Sequence, residues 1–342
     1  MHTKHALAGI LAASLLLAAT PAPAAMVCST GDDPGVSWGE PQQTERFSKT
    51  VALGSGGSVA LSNISGNVVV TGGAGDQVII DAVKRGRTTD DLKNIEIEVI
   101  ATEGRVEITT RHPRRDRGWG NNAEVHYTLT VPRRAKVRVK TVSGDIQLTT
   151  VDGDVRAESV SGDVRVSDVA QIEGVVSVSG NVVLKSASSS GPVTLSSVSG
   201  DVTLVAVKAP SLSGSSVSGD VGLTDVTAER VAFKSVSGNL TFSGPLAKAG
   251  RYALKSHSGD VVFKILNTMG FEVNATSFSG DIHSDVPLTV RFGGDESRRG
   301  RRQEMRGTFG DGSAVLELNT FSGNVRIVSS TAGAKPATPV KK

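Results

Sequence analysis

A tripeptide, Ser-Gly-Asp or Ser-Gly-Asn, recurs ten times in this chain, and its spacing restricts the fold more than any other feature. The glycines are Gly66, Gly144, Gly162, Gly180, Gly200, Gly219, Gly238, Gly259, Gly280 and Gly323. From Gly144 to Gly280 they follow one another at intervals of 18, 18, 20, 19, 19, 21 and 21 residues. A steady period of this length marks units that cannot bury their own apolar face and therefore stack on one another. The fold class predicted is all-β: a single-chain β-solenoid with coils of about 20 residues and a more irregular N-terminal β cap.

Aligning the copies on their glycines shows which way each side chain points. Two residues after the glycine the chain places Val68, Ile146, Val164, Val182, Val202, Val221, Leu240, Val261, Ile282 and Val325, and four after it Val70, Leu148, Val166, Leu184, Leu204, Leu223, Phe242, Phe263, Ser284 and Ile327. The intervening column is mixed, with Gln147, Arg165, Thr203 and Arg326. Such alternation describes a strand buried on one face. Upstream, apolar residues such as Val193 and Leu195 lie at odd offsets from the glycine, whereas Val198, Val202 and Leu204 lie at even ones. This change of parity predicts a corner near Ser-x-Ser-Gly, with the valine two before the glycine taken as inward-facing. Glycine supplies backbone conformations closed to other residues there, and Asp or Asn stabilises its own turn. Pro192, Pro210, Pro245 and Pro287 fall between repeats, where no ladder donor is lost. At a coil spacing of about 4.8 Å, residues 51–328 predict about fourteen coils and a rod on the order of 65 Å long.

The predicted organisation runs as follows. Residues 1–25 read as a secretory signal peptide, with Lys4 and His5 ahead of the apolar run Ala6–Ala19 and then Pro21-Ala22-Pro23-Ala24-Ala25. Residues 26–50 form an N-terminal extension, 51–140 the irregular β portion that caps the rod, and 141–328 the regular solenoid with a basic loop at 291–312. Residues 329–342, with Lys335-Pro336 and Pro339-Val340-Lys341-Lys342, read as a disordered tail. No segment after the signal approaches the roughly 20 apolar residues of a spanning helix. The expected location is the periplasm, the cell surface or the exterior. The single cysteine, Cys28, can form no intrachain disulfide. It follows the expected cleavage site closely enough to raise a lipid anchor, although Val27 stands where lipid-modified cysteines usually follow Gly or Ala. The charge of 37 basic against 34 acidic residues, +3, does not suggest a nucleic-acid partner.

The chain resembles the putative-adhesin family of bacterial envelope proteins, a domain of unknown function. The resemblance rests on Ser58-Val59-Ala60-Leu61-Ser62-Asn63-Ile64-Ser65-Gly66-Asn67-Val68-Val69-Val70, on Asp81-Ala82-Val83-Lys84-Arg85, and on Thr130-Val131-Pro132 leading into the array. It continues in Arg306-Gly307-Thr308-Phe309-Gly310-Asp311-Gly312 ahead of Thr320-Phe321-Ser322-Gly323-Asn324-Val325. It covers nearly the whole exported chain and implies an envelope-associated β-solenoid with no agreed catalytic residues.

Three features invite a chemical reading. The acidic column Asp145, Asp163, Asp201, Asp220, Asp260 and Asp281, with Asn67, Asn181, Asn239 and Asn324 in the same slot, is a candidate Ca²⁺ ladder or a ladder of turn residues. No second acidic column supplies further calcium ligands. The serines immediately before the glycines, from Ser143 to Ser322, are too many and too equivalent to be nucleophiles, and no histidine recurs beside them as a base. They read as a hydrogen-bonded polar ladder, and His257, in a slot that holds valine elsewhere, reads as a satisfied corner histidine. The basic clusters Arg114, Arg115 and Arg117 with Trp119, and Arg298, Arg299, Arg301 and Arg302, are either contacts for an anionic envelope polymer or solvated loops. No cofactor motif is present. The leading expectation is a non-enzymatic envelope module that meets an envelope component or protein. A ligand-binding module for Ca²⁺ or an anionic polymer comes second, and a carbohydrate-active β-helix enzyme third.

Overall fold

The computed structural model describes residues 43–54, 56–111, 123–290 and 303–329. The signal segment, Cys28, the arginines of both clusters, Trp119 and the tail beyond Ser329 lie outside the described residues.

Each repeat is one coil with two walls. In the Gly200 coil, a leading strand Val193–Ser199 reaches the glycine and a trailing strand Val202–Lys208 leaves it. Leading strands pair in parallel with leading strands of neighbouring coils, as Leu195 does with Gly214, and trailing strands with trailing strands, as Val202 does with Val221. The register matches column to column, so like residues stack along the rod. Among the described residues the leading sheet has 14 strands and the trailing sheet 13. Between them lies one apolar core containing Val193, Leu195, Val202 and Leu204, all fully buried, and an aromatic cluster in which Phe242 stacks on Phe263 at 4.5 Å with Tyr252 edge-on.

Two corners close the coil. At the first, each repeat glycine in the array has a positive φ, 137° at Gly144 and 155° at Gly200. An added Cβ there would overlap the carbonyl oxygen of the preceding coil's glycine. Glycine is therefore demanded twice, by conformation and by the close approach of stacked backbones. The second corner, six residues later, was not foreseen. Thr150, Asp168, Ser186, Ala206 and Asp225 all adopt the left-handed conformation, with φ between 49° and 60°. This flips the parity again and turns Val151, Val169, Ala187, Val207 and Val226 inward as a further core column.

The first corner also corrects one expectation. The valine two before the glycine does not face the core: Val198 is 46% exposed, whereas Val202 is 0% exposed. Odd parity persists one step further than the alternation suggested, so the buried residue is Ser197 and the chain turns at Ser-Gly-Asp itself.

The ends are not simple continuations of the stack. The Gly66 coil lies directly on the Gly144 coil. The residues between them form an outer coil from Arg105–Arg111 and Glu124–Pro132, covered by the antiparallel strands Gln77–Gly86, Gln43–Ala52 and Glu96–Thr102. At the opposite end the chain passes from the Gly259 coil to the outermost Gly280 coil, and the Gly323 coil then slots between the two. Antiparallel Gln303–Phe309 and Thr289–Val290 finish that end. Three strands of the leading sheet and two of the trailing sheet are such antiparallel additions, which leaves eleven coils among the described residues rather than the fourteen expected from length. Ten gaps of about 4.8 Å give a rod of about 50 Å.

Candidate interaction surface

The Asp/Asn column forms a continuous ladder. The side-chain oxygen of each member accepts the backbone N–H of the next: Asp145 from Asp163 at 2.9 Å, Asp163 from Asn181 at 2.8 Å, Asn181 from Asp201 at 2.9 Å, Asp201 from Asp220 at 2.9 Å and Asp220 from Asn239 at 2.8 Å. It continues through Asn239 to Asp260, Asp260 to Asn324, and Asn324 to Asp281, following spatial order rather than sequence order. Both ends are closed by residues outside the repeat. His126 Nδ1 accepts the Asn67 N–H at 3.2 Å, and Gln303 Nε2 donates to Asp281 Oδ1 at 3.1 Å. One side-chain oxygen of each rung is thus committed to the backbone. Among the described residues no group of three or more acidic, histidine or cysteine side chains is placed to hold a metal.

A second ladder, three residues before the glycine, escaped the sequence reading although its composition is plain. Ser159, Ser177, Ser197, Ser216, Ser256 and Thr320 are buried and donate to the glycine carbonyl of the neighbouring coil, at 3.0 Å for Ser177. Asn63 takes the slot in the Gly66 coil and Ser277 in the Gly280 coil. The serines adjacent to the glycines, predicted to form this ladder, are surface-exposed instead. Their carbonyls accept the glycine N–H of the preceding coil, as Ser179 does from Gly162 at 3.0 Å.

Between these two columns lies the one that the ladders do not use. In spatial order its rungs are Ile64, Val142, Val160, Val178, Val198, Val217, Val236, His257, Phe321 and Phe278. Nine of the ten are apolar, and those nine are 38–51% exposed. The last three rungs stack face to face, His257 on Phe321 at 5.0 Å and Phe321 on Phe278 at 4.7 Å. His257 is therefore not buried but part of an exposed aromatic pile. At the other end, Ile64, Val142, Val160 and Val178 border an open cleft of about 650 Å³. On its rim Lys140 and Arg156 share Glu158: burial pushes that carboxyl up, but hydrogen bonds from the two cations outweigh it and hold it below the usual carboxylate range. Beside it Tyr127, hydrogen-bonded to Thr110 at 2.7 Å, is pushed up to about 12 by burial.

The Toastrack DUF4097 family model matches residues 58–328. The chain belongs to this family, a domain of unknown function. Several solved structures are similar at low identity. A "putative adhesin" from Bacteroides fragilis is 12% identical, covering 83% of this chain and 97% of that one with a TM-score of 0.42. A "putative lipid binding protein" from Parabacteroides distasonis is 11% identical, covering 83% and 96%, with a TM-score of 0.41. A "putative cell adhesion protein" from Clostridium sporogenes is 11% identical, covering 84% and 100%, with a TM-score of 0.25. No curated protein matches the chain. Among the described residues no helix of this Toastrack chain is long and apolar enough to cross a membrane.

Proposed function

We propose that this Toastrack chain is exported and acts, without catalysis, as an adhesin-like interaction protein of the cell envelope, and that its working surface is the exposed stripe from Ile64 to Phe278. One observation carries the reading. The corner needs a glycine and an Asp or Asn, and its flanking position accepts serine throughout, yet the stripe position keeps Ile, Val or Phe in solvent at nine rungs of ten. A contiguous exposed apolar strip costs solubility and marks a surface that is covered in use. The polar columns beside it are engaged within the rod: one oxygen of each Asp or Asn rung and most of the buried hydroxyls bond backbone groups. Export is supported by the charged, apolar and small-residue zones of residues 1–25.

Co-sedimentation of the mature chain with isolated cell envelopes across a salt series tests the reading. The expected result is retention that changes little with salt and is lost in a variant carrying Val178→Ser, Val198→Ser and Val217→Ser. Retention that survives these changes and fades with salt would move the function to Arg114, Arg115, Arg117, Arg298, Arg299, Arg301 and Arg302, through contact with an anionic polymer. Absence of retention for the unmodified chain would sink the reading.

A further inference from the structure

We infer that the stripe's partner is a second copy of this chain, laid antiparallel against the first. This rests on the reading of the stripe as a docking surface and goes further by naming what covers it.

The first reason is period. The rungs of the stripe repeat at the interstrand distance, about 4.8 Å, because each sits at the same column of an in-register parallel sheet. An extended peptide presents same-face side chains about 6.8 Å apart and a helix presents turns about 5.4 Å apart, so either drifts out of step within two or three rungs. A surface that stays in step over ten rungs is another rung ladder, and the molecule supplies one.

The second reason is shape. A hollow flanks one end of the stripe: the cleft of about 650 Å³ is lined by Ile64, Val142, Val160 and Val178 together with Lys140, Arg156 and Glu158. The other end bulges, because the same column there holds His257, Phe321 and Phe278, stacked and half-exposed, in place of shorter valines. Antiparallel pairing about the midpoint between Val198 and Val217 brings the aromatic rungs of each copy over the hollow of the other, twice, as a two-fold axis requires. Parallel pairing would set bulge against bulge.

The third reason is area. Nine half-exposed apolar side chains leave on the order of 600 Å² of apolar surface, at the upper end of what a monomer exposes. With the exposed serine row next to the glycines the strip moves toward the roughly 800 Å² per partner of a standard interface.

The test uses the mature chain with Cys28→Ser. Sedimentation equilibrium at about 100 μM should give a dimer. Val217→Glu, at an exposed rung, should lower the melting temperature only slightly and weaken the dimer roughly tenfold or more by setting charges into the apolar contact. Single cysteines then fix the direction: Ile64→Cys mixed with Phe278→Cys should cross-link, whereas Ile64→Cys alone should not, its two copies lying about 40 Å apart. A monomer at this concentration, a dimer indifferent to Val217→Glu, or efficient Ile64-to-Ile64 linkage would each overturn the inference. A monomer whose envelope retention still depends on the stripe would overturn this inference alone, and a stripe-dependent dimer with no envelope retention would overturn the proposed function alone.

Discussion

Val198 and Val202 are the same residue four positions apart at one corner, yet the first is 46% exposed and the second is sealed in the core. What separates them is Gly200. Its φ of 155° and its contact with the Gly180 backbone fix where the chain turns, and so which side each neighbour occupies. Hydrophobicity chose neither position. In a stacked repeat the corner decides the facing of a side chain, and residue type then reveals whether that facing is used for packing or for contact.

The hardest blow to this contrast is the same substitution at both sites. Val202→Asp buries an unpaired charge between coils and should cost about 4 kcal/mol or more, visible as loss of the cooperative thermal transition. Val198→Asp should lower the melting temperature only slightly. Equal effects would show that the corner does not sort the two faces.

Next in size is the corner itself. Gly200→Ala should cost about 3 kcal/mol in chemical denaturation, because the methyl meets the Gly180 carbonyl and the backbone conformation suits only glycine. Gly222→Ala, on the outer face of a trailing strand with open space around it, should be neutral or mildly stabilising.

The buried side of the contrast also has a member that titrates. Tyr127, 1% exposed, ionises in the fold only near pH 12 against about 10 in the unfolded chain. A raised folded value favours the protonated state, so its contribution is intact below pH 10 and is lost as pH rises from 10 to 12. The loss amounts to about 2–3 kcal/mol. Denaturation of Tyr127→Phe followed from pH 8 to 12 should show a shallower alkaline decline than the unmodified chain.

The smallest expected effect is at the rim. Asp201→Ala removes one acceptor from the ladder and leaves the Asp220 N–H to water, at a cost of about 1 kcal/mol. Asp201→Asn should be close to neutral, since Asn181 already holds the slot in the neighbouring Gly180 coil and accepts the same bond. A large loss in Asp201→Asn would mean that the carboxylate charge has a use beyond the turn.

The sequence made the solenoid legible because burial and period coincide at Val202, Leu204 and their column mates: core facing demands apolar residues there, and stacking repeats them. It misplaced Val198 because an apolar residue next to a corner looks the same whether it faces in or out. The hydroxyl ladder at Ser177 and Ser197 had a clear signal, a Ser, Thr or Asn column, but buried hydroxyls read as surface residues unless the neighbouring carbonyl is known. The left-handed corner had almost none, because Thr150, Asp168, Ser186, Ala206 and Asp225 share only short side chains. The spatial order of the end coils was invisible in principle. Gly66 and Gly323 carry the same mark as every other repeat, and identical rungs do not say which neighbour each will choose.

That last feature changes how the rod comes apart. A solenoid wound in strict order unravels from its tips, each coil leaving an exposed successor. Here the first and last marked coils in the chain, those of Gly66 and Gly323, are each gripped on both faces by other coils. Tension applied from the C-terminal side therefore pulls on an enclosed layer, whereas tension from the N-terminal side first meets Gln43–Ala52, an edge strand paired on one side only. The two ends of the rod thus differ under load: the N-terminal side is expected to open strand by strand, while the Gly323 coil is locked between its neighbours.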